Sequence, residues 1–470
     1  MKQPTAVPTT SQATINTLFQ GQREFFALGE NRSLKLRRTE LERLRRMLLD
    51  HEEEWLEALA GDLGKSPFEA YTSEIGFLLK ELKMSLNNLN HWARERKVPS
   101  PWVSWPSRSY IRPEAKGVCL IIAPWNYPLQ LLLAPAISAL AAGNTVLLKP
   151  SEFTPRVARL AEELVARYFD KALLSVIQGP GEIVIPQLLD HHRPDHLFFT
   201  GSTRVGRAIA QQAAPKLIPV TLELGGKSPA VVESSARLKT AARRIAFGKW
   251  LNAGQTCVAP DYVLVQRSRK QDFIEALKEV LGEFYPQGAL RSPDYGRIIH
   301  REHFRHLQGF LDPRYIAYGG EVSEDDLQIA PTILVDLEAD HPVMAEEIFG
   351  PILPVFTYDK PEEAIRFIQR YPCPLAFYLF SENKALQRSF VENLSFGGGA
   401  INSTVLHLSN PHLPFGGKGD SGMGQYHGKH GFDTFSHQKS ILKNATWLDL
   451  AMKYPPYTAR ALRLVKKIWP

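Results

Sequence analysis

The sequence predicts an α/β protein with a doubly wound parallel sheet, a second α/β domain and a small β excursion. Three observations carry that prediction. From Gly117 onward, short apolar runs alternate with helical stretches. The runs are apolar throughout rather than every second residue, as strands covered on both faces are. After Ser228 the alternation starts afresh. A chain of 470 residues, 44% of them hydrophobic, holds two or three domains at roughly 100–200 residues each.

Met1 to Gln12 is polar and expected to fray. Arg37 to Ala60 spaces Leu41, Leu44, Leu48 and Leu49 at helical intervals and predicts one amphipathic helix, with a second from Glu69 to Glu95. Residues 98–115 are rich in Pro and Trp and predict the β excursion. The first sheet draws its strands from Gly117–Ala123, Asn144–Lys149, Leu174–Gln178, His196–Thr200 and Pro219–Glu223, with helices at Leu129–Ala142, Pro155–Phe169, Glu182–Leu189 and Arg204–Ala214. The second unit begins with strands at Pro229–Val232 and Tyr262–Val265 and helices at Lys239–Leu251 and Lys270–Phe284. No repeat of 20–50 residues is present.

Several classes fall away. Cys119, Cys257 and Cys373 are too few and scattered for a disulfide framework, which fits a reducing, cytoplasmic compartment. There is no signal-peptide core, and no apolar run reaches the ~18 residues of a membrane span. The net charge of +7 is distributed, partly over Lys35–Arg46 and Arg460–Lys467, and reads as solvated helix faces rather than a nucleic-acid stripe. His191, His192 and His196 lack a matching ligand set, so no metal site is predicted.

Two glycine motifs are decoys. Gly417-x-Gly419-x-x-Gly422 matches a dinucleotide fingerprint but lacks a strand–helix context. Gly225-Gly226-Lys227-Ser228 ends like a phosphate loop, but the position of its first glycine is Thr221. Better phosphate candidates are Gly201, Ser202 and Gly206, where a strand turns into a helix whose N-terminus can face an anion. Lys149 and Glu152, at a strand's carboxyl end, can meet a ribose or phosphate. Asn126, in Pro124-Trp125-Asn126-Tyr127-Pro128, can donate to an oxyanion together with the Cys257 backbone N–H. Taken singly, each has a plainer reading: turn, cap, buried thiol or strand-end salt bridge.

Together and in this order, Pro124–Pro128, Lys149–Glu152, Phe199–Gly206, Glu223–Pro229, Gly254–Cys257, Glu347–Pro351 and Pro414–Gly417 resemble the NAD(P)-dependent aldehyde dehydrogenase superfamily, from about residue 15 to 445. Val258-Ala259-Pro260-Asp261-Tyr262 and Gly422–His437 resemble its class 3 branch of fatty, aromatic and coniferyl-type enzymes, typically homodimeric. The resemblance implies Cys257 as an activated nucleophile, Asn126 as oxyanion donor and Glu223 as general base. Trp125, Lys149, Glu152, Gly201, Ser202, Gly206, Leu224, Gly225, Glu347 and Phe349 would meet the cofactor, NAD or also NADP. It implies a coenzyme-binding domain over 1–97 and 117–223, a catalytic domain over 224–418, bridging segments at 98–116 and 419–445, and a tail at 446–470.

The expected reaction is oxidation of a medium- or long-chain or aromatic aldehyde to an acid through a Cys257 thiohemiacetal and thioester. A CoA-acylating variant and a non-catalytic scaffold are the alternatives; Glu223 argues against the first. Leu406–Pro414 is the expected substrate wall. In the tail, Ala461, Leu464, Val465 and Ile468 share a helix face beside Arg460, Arg463, Lys466 and Lys467. Packing over a partner subunit or the substrate entrance is preferred there to loose membrane contact.

Overall fold

The computed structural model describes residues 7–468; residues 1–6, part of the polar N-terminal stretch, and residues 469–470 lie outside it. The first sheet has the strand order Gly422–Met423, Val220–Glu223, His196–Thr200, Val118–Ile122, Thr145–Lys149, Leu174–Val176. All its pairings are parallel except that of Gly422–Met423, which runs antiparallel beside Val220–Glu223. Val118–Ile122, Thr145–Lys149 and His196–Thr200 are buried at every position, which is why they read as unbroken apolar runs. Strand order reverses at Val118–Ile122, which leads on to Thr145–Lys149 on one side and lies against His196–Thr200 on the other. The crevice beyond the carboxyl ends of those strands is where open α/β sheets take ligands.

The second sheet runs Ile316–Tyr318, Thr332–Val335, Ile352–Tyr358, Tyr262–Gln266, Pro229–Val232, Ala376–Phe380, Gly398–Ile401, parallel but for its first pair. A third, antiparallel sheet joins Arg96–Val98, Arg108–Ala115 and Ser436–Lys443. Helix Gln130–Ala142 is buried along its whole length and packs against Thr145–Lys149 and helix Gly76–Trp92.

Three expectations change. The N-terminal stretch is tied down at Thr10, whose N–H donates to the Gln178 carbonyl (2.9 Å) while its hydroxyl accepts from the Gln178 N–H (2.8 Å). It leads into a helix, Gln12–Leu28, capped by Ser11, that periodicity did not single out. The helix expected over Arg37–Ala60 is two, Leu34–Asp50 and Glu52–Leu63, broken at His51. The helix expected over Glu69–Glu95 is a Pro67–Ala70 turn, a wider turn at Tyr71–Ile75 and Gly76–Trp92. The Gly417–Gly422 decoy is a tight turn in which a side chain on Gly417 would overlap the Ser421 carbonyl.

Candidate active site

Cys257 is half-buried, on the loop that follows helix Leu238–Trp250. That loop is held in an unusual conformation. Asn252 and Ala253 both have φ +52°, where L-residues are strained. A side chain on Gly254 would overlap the Gly350 carbonyl. Gln255 braces the loop, donating from Nε2 to the Asn252 and Arg297 carbonyls (both 3.0 Å) and accepting from the Ile299 N–H. Tyr378 Oη donates to the Val258 carbonyl at 2.6 Å, and the Tyr127 and Thr256 hydroxyls meet at 2.6 Å.

Burial pushes the Cys257 thiol up, and the charges of Glu347 and Glu223 push it further; only backbone N–H groups oppose them. The titratable side chains acting on it are carboxyls.

Glu223 ends its strand in the first sheet, paired with Thr200 on one side and Gly422 on the other. It is 2% exposed. Neither carboxylate oxygen has a partner among the described residues, and burial pushes its pKa well up. A buried, unpaired carboxyl of this kind is a functional-site signal. Asn126 follows the Val118–Ile122 strand; its side-chain amide donates to the Gln255 carbonyl at 3.1 Å, leaving one of its two N–H bonds for another acceptor.

The cofactor candidates line the crevice. Lys149, 2% exposed, pairs with Glu152 at 2.5 Å, and the other Glu152 oxygen accepts from the Gly181 N–H. Burial lowers the Lys149 pKa. For Glu152 burial is outweighed by Lys149 and the backbone N–H groups, so its carboxylate stays ionised. Ser202 caps helix Thr203–Ala213 through the Val205 N–H, and the Gly201 N–H donates to the Glu223 carbonyl. Gly206 lies so close to Leu224 that a side chain there would overlap it. A capped helix N-terminus, a cation, an ionised carboxylate and the unpartnered Thr200 hydroxyl at one strand-order switch fit a dinucleotide.

Trp125 and Phe349 meet edge to face at 5.3 Å. Phe349 has φ +50°, and its carbonyl accepts from the His303 ring at 2.8 Å. Glu347 is turned against Gly225 and Gly226. Lys227, part of the phosphate-loop decoy, is a strut. Its ammonium pairs with Asp261 at 2.5 Å and donates to the Val343 and Glu346 carbonyls. Asp261 in turn accepts from the Ile348 N–H.

Cys257 opens onto a cavity of about 770 Å³. Phe68, Phe77, Phe247, Trp250, Phe284 and Phe415 line it, with Leu406, Leu408 and Ser409 from the segment expected to form a wall. Among the polar wall residues that sequence reasoning missed are Glu69 and His427. Burial raises the Glu69 pKa to about 7. His427, at φ +79°, stacks on Phe415 and is lowered to about 3 by burial, so its ring is neutral.

Residues 2–441 match the aldehyde dehydrogenase family model. The chain is 47% identical to the 4,4'-diaponeurosporen-aldehyde dehydrogenase of Staphylococcus aureus, covering 95% of this chain and 97% of that one. It is 43% identical to the dimeric NADP-preferring aldehyde dehydrogenase of Rattus norvegicus, over 96% of this chain and 100% of the other. The solved substrate-bound state of Staphylococcus aureus AldH superposes with a TM-score of 0.94 at 45% identity, covering 97% of this chain and 99% of that one. The chain belongs to the aldehyde dehydrogenase family. It oxidises aldehydes with NAD(P), and it resembles the class 3 members.

Proposed function

We propose that the substrates are large apolar aldehydes, long-chain aliphatic or aromatic, oxidised through an acyl intermediate on Cys257. The observation that carries this is the aromatic-walled cavity of about 770 Å³ ending at Cys257, far larger than a two-carbon aldehyde needs. The name of the Staphylococcus aureus relative, for 4,4'-diaponeurosporen-aldehyde, supports the same direction.

In this reading the Cys257 thiol gives up its proton to water and the sulfur adds to the carbonyl carbon. The oxygen takes up negative charge between the free Asn126 N–H and the Cys257 backbone N–H; one such donor is typically worth ~3–4 kcal/mol of transition-state stabilisation. Bound NAD(P)⁺ supplies the hydride acceptor. Lys149, Glu152 and Ser202 would hold its adenosine and pyrophosphate, with Trp125, Gly201, Gly206, Leu224, Gly225, Glu347 and Phe349 shaping the rest of its site. Glu223, buried and without a partner among the described residues, is placed to accept a proton. It takes one from the water that attacks the thioester, and the acid leaves.

The first sheet serves as the coenzyme domain, the second as the catalytic domain, and the antiparallel sheet as the bridge of a homodimer. The printed name of the rat relative, dimeric, favours that assembly. We place the protein in the cytoplasm. No described helix is long and apolar enough to cross a membrane. Helix Ala459–Ile468 exposes Leu462, Leu464 and Val465, and none of its described side chains lines the cavity, which favours a partner subunit as its cover.

The test is NADH and NADPH formation across aldehydes from two to sixteen carbons, with benzaldehyde and coniferyl aldehyde. We expect kcat/KM to rise with apolar size and to vanish in Cys257→Ala. A preference for acetaldehyde would overturn the substrate reading.

A further inference from the structure

Lys65 and Glu74 form an ion pair at 2.6 Å with both side chains wholly buried. Burying two charges costs more than such a pair usually returns, so a pair like this is weak evidence for stability. Its remaining hydrogen bonds go to the Asn126 loop and to the first N–H groups of helix Gln130–Ala142, into which that loop leads. Lys65 Nζ donates to the Asn126 backbone carbonyl at 3.0 Å and sits 4.0 Å from the centre of the Tyr127 ring. The second oxygen of Glu74 accepts from the N–H groups of Leu129 (2.9 Å) and Gln130 (3.1 Å). The loop is thus gripped before and after Tyr127.

The same Asn126 carbonyl also accepts from Asn252 Nδ2 at 2.7 Å. Asn252 reaches the Gln255 carbonyl too, at 3.2 Å, and that carbonyl receives the Asn126 amide. One ammonium therefore meets the Cys257 loop at a shared acceptor, and the donor amide is fixed relative to the nucleophile at both its backbone and its side chain.

We propose that the Lys65–Glu74 pair is a positioning element for the oxyanion donor: it sets where the Asn126 amide points relative to Cys257. This rests on the reading of Asn126 above. Misplacing a catalytic group by about 1 Å can cost on the order of 10²-fold in rate.

The test replaces the pair by an apolar one, Lys65→Met with Glu74→Leu, which removes the charges without leaving either unpaired. Two cofactor-free readouts are compared. Acylation of Cys257 by p-nitrophenyl acetate needs the oxyanion donor. Alkylation of Cys257 by iodoacetamide develops no oxyanion and needs only an accessible thiol. We expect a folded variant whose acylation slows by roughly 10²-fold, with alkylation within threefold of the parent. Adding Asn126→Ala should slow acylation no further than Asn126→Ala alone. Unchanged acylation, an equal loss in alkylation, or a loss additive with Asn126→Ala would each overturn the proposal. Should the apolar pair not fold, Lys65→Arg, which keeps the charge but shifts its donors, must show the same selective loss or the proposal falls. Undiminished acylation in Asn126→Ala would instead remove the oxyanion reading itself; a normal pair variant beside a crippled Asn126→Ala removes only the positioning role.

Discussion

The carboxylate of Glu347 occupies the space that a side chain on Gly225 would need: a Cβ built there overlaps Oε2. Gly225 is half of the Gly225-Gly226 step between the two large sheets, and the Gly226 N–H bonds Glu347.

Gly225→Ala should therefore expel Glu347 without touching Cys257. We expect KM for the cofactor to rise about tenfold or more, while alkylation of the Cys257 thiol, which Glu347 otherwise pushes up, is no slower than in the parent. A cofactor KM within twofold of the parent would show that Glu347 does not contact the cofactor.

Lys227→Met should act on the same carboxylate from behind, because Lys227 and Asp261 together grip the segment from Val343 to Ile348. It leaves Asp261 buried without its cation, a change that typically costs ~3–5 kcal/mol. Thermal melting should fall by several degrees, and added cofactor should recover less of the loss than it does in the parent. Full recovery would place the strut outside the cofactor site.

Glu223→Gln separates the two halves of the reaction. Losing a general base typically costs ~10²–10⁴ in rate, so steady-state turnover should collapse while the first turnover still releases one NADH per site. The pH dependence has a definite sign. Burial raises the Glu223 pKa, so the parent gains stability from the protonated form at low pH and loses it as pH rises through the folded-state value. The Gln variant should melt above the parent at pH 8 and level with it at pH 4; the reverse order would mean that the carboxylate is stabilised.

Glu69 gives a bounded window. Its value moves from 4.5 to about 7 through burial, with Lys65 opposing. The stability that its neutral form provides is present below 4.5 and is lost as pH climbs through 7. Differential melting of Glu69→Gln against the parent should widen over that interval and then stay level. A difference that is flat with pH would show that Glu69 is solvated.

Much of the fold was legible because fully buried strands such as Thr145–Lys149 and His196–Thr200 admit few polar residues. Helix Gln12–Leu28 was not, because one of its buried positions is Gln22, whose Nε2 donates to the Val146 carbonyl and Ser175 from the first sheet. Glu223 stood out as a carboxylate at a strand end before two glycines. Lys65 and Glu74 did not, since in a sequence two charges nine residues apart look like solvated helix positions; their partners at Asn126, Leu129 and Gln130 exist only once the chain has folded. Lys227 was noticed for the wrong chemistry. Its neighbours Asp261 and Val343 turn a phosphate-loop likeness into a brace.

The edge of the first sheet at Val220–Glu223 is closed by Gly422–Met423, a segment made about 200 residues later. At roughly 5–20 residues per second, a chain on the ribosome carries that edge open for about 10–40 s, with unpaired backbone groups able to recruit a strand from another chain. Glu223 sits on the open edge throughout. Its enclosure waits for that later segment, so a chain made only as far as Cys257 holds the nucleophile before it holds a finished base.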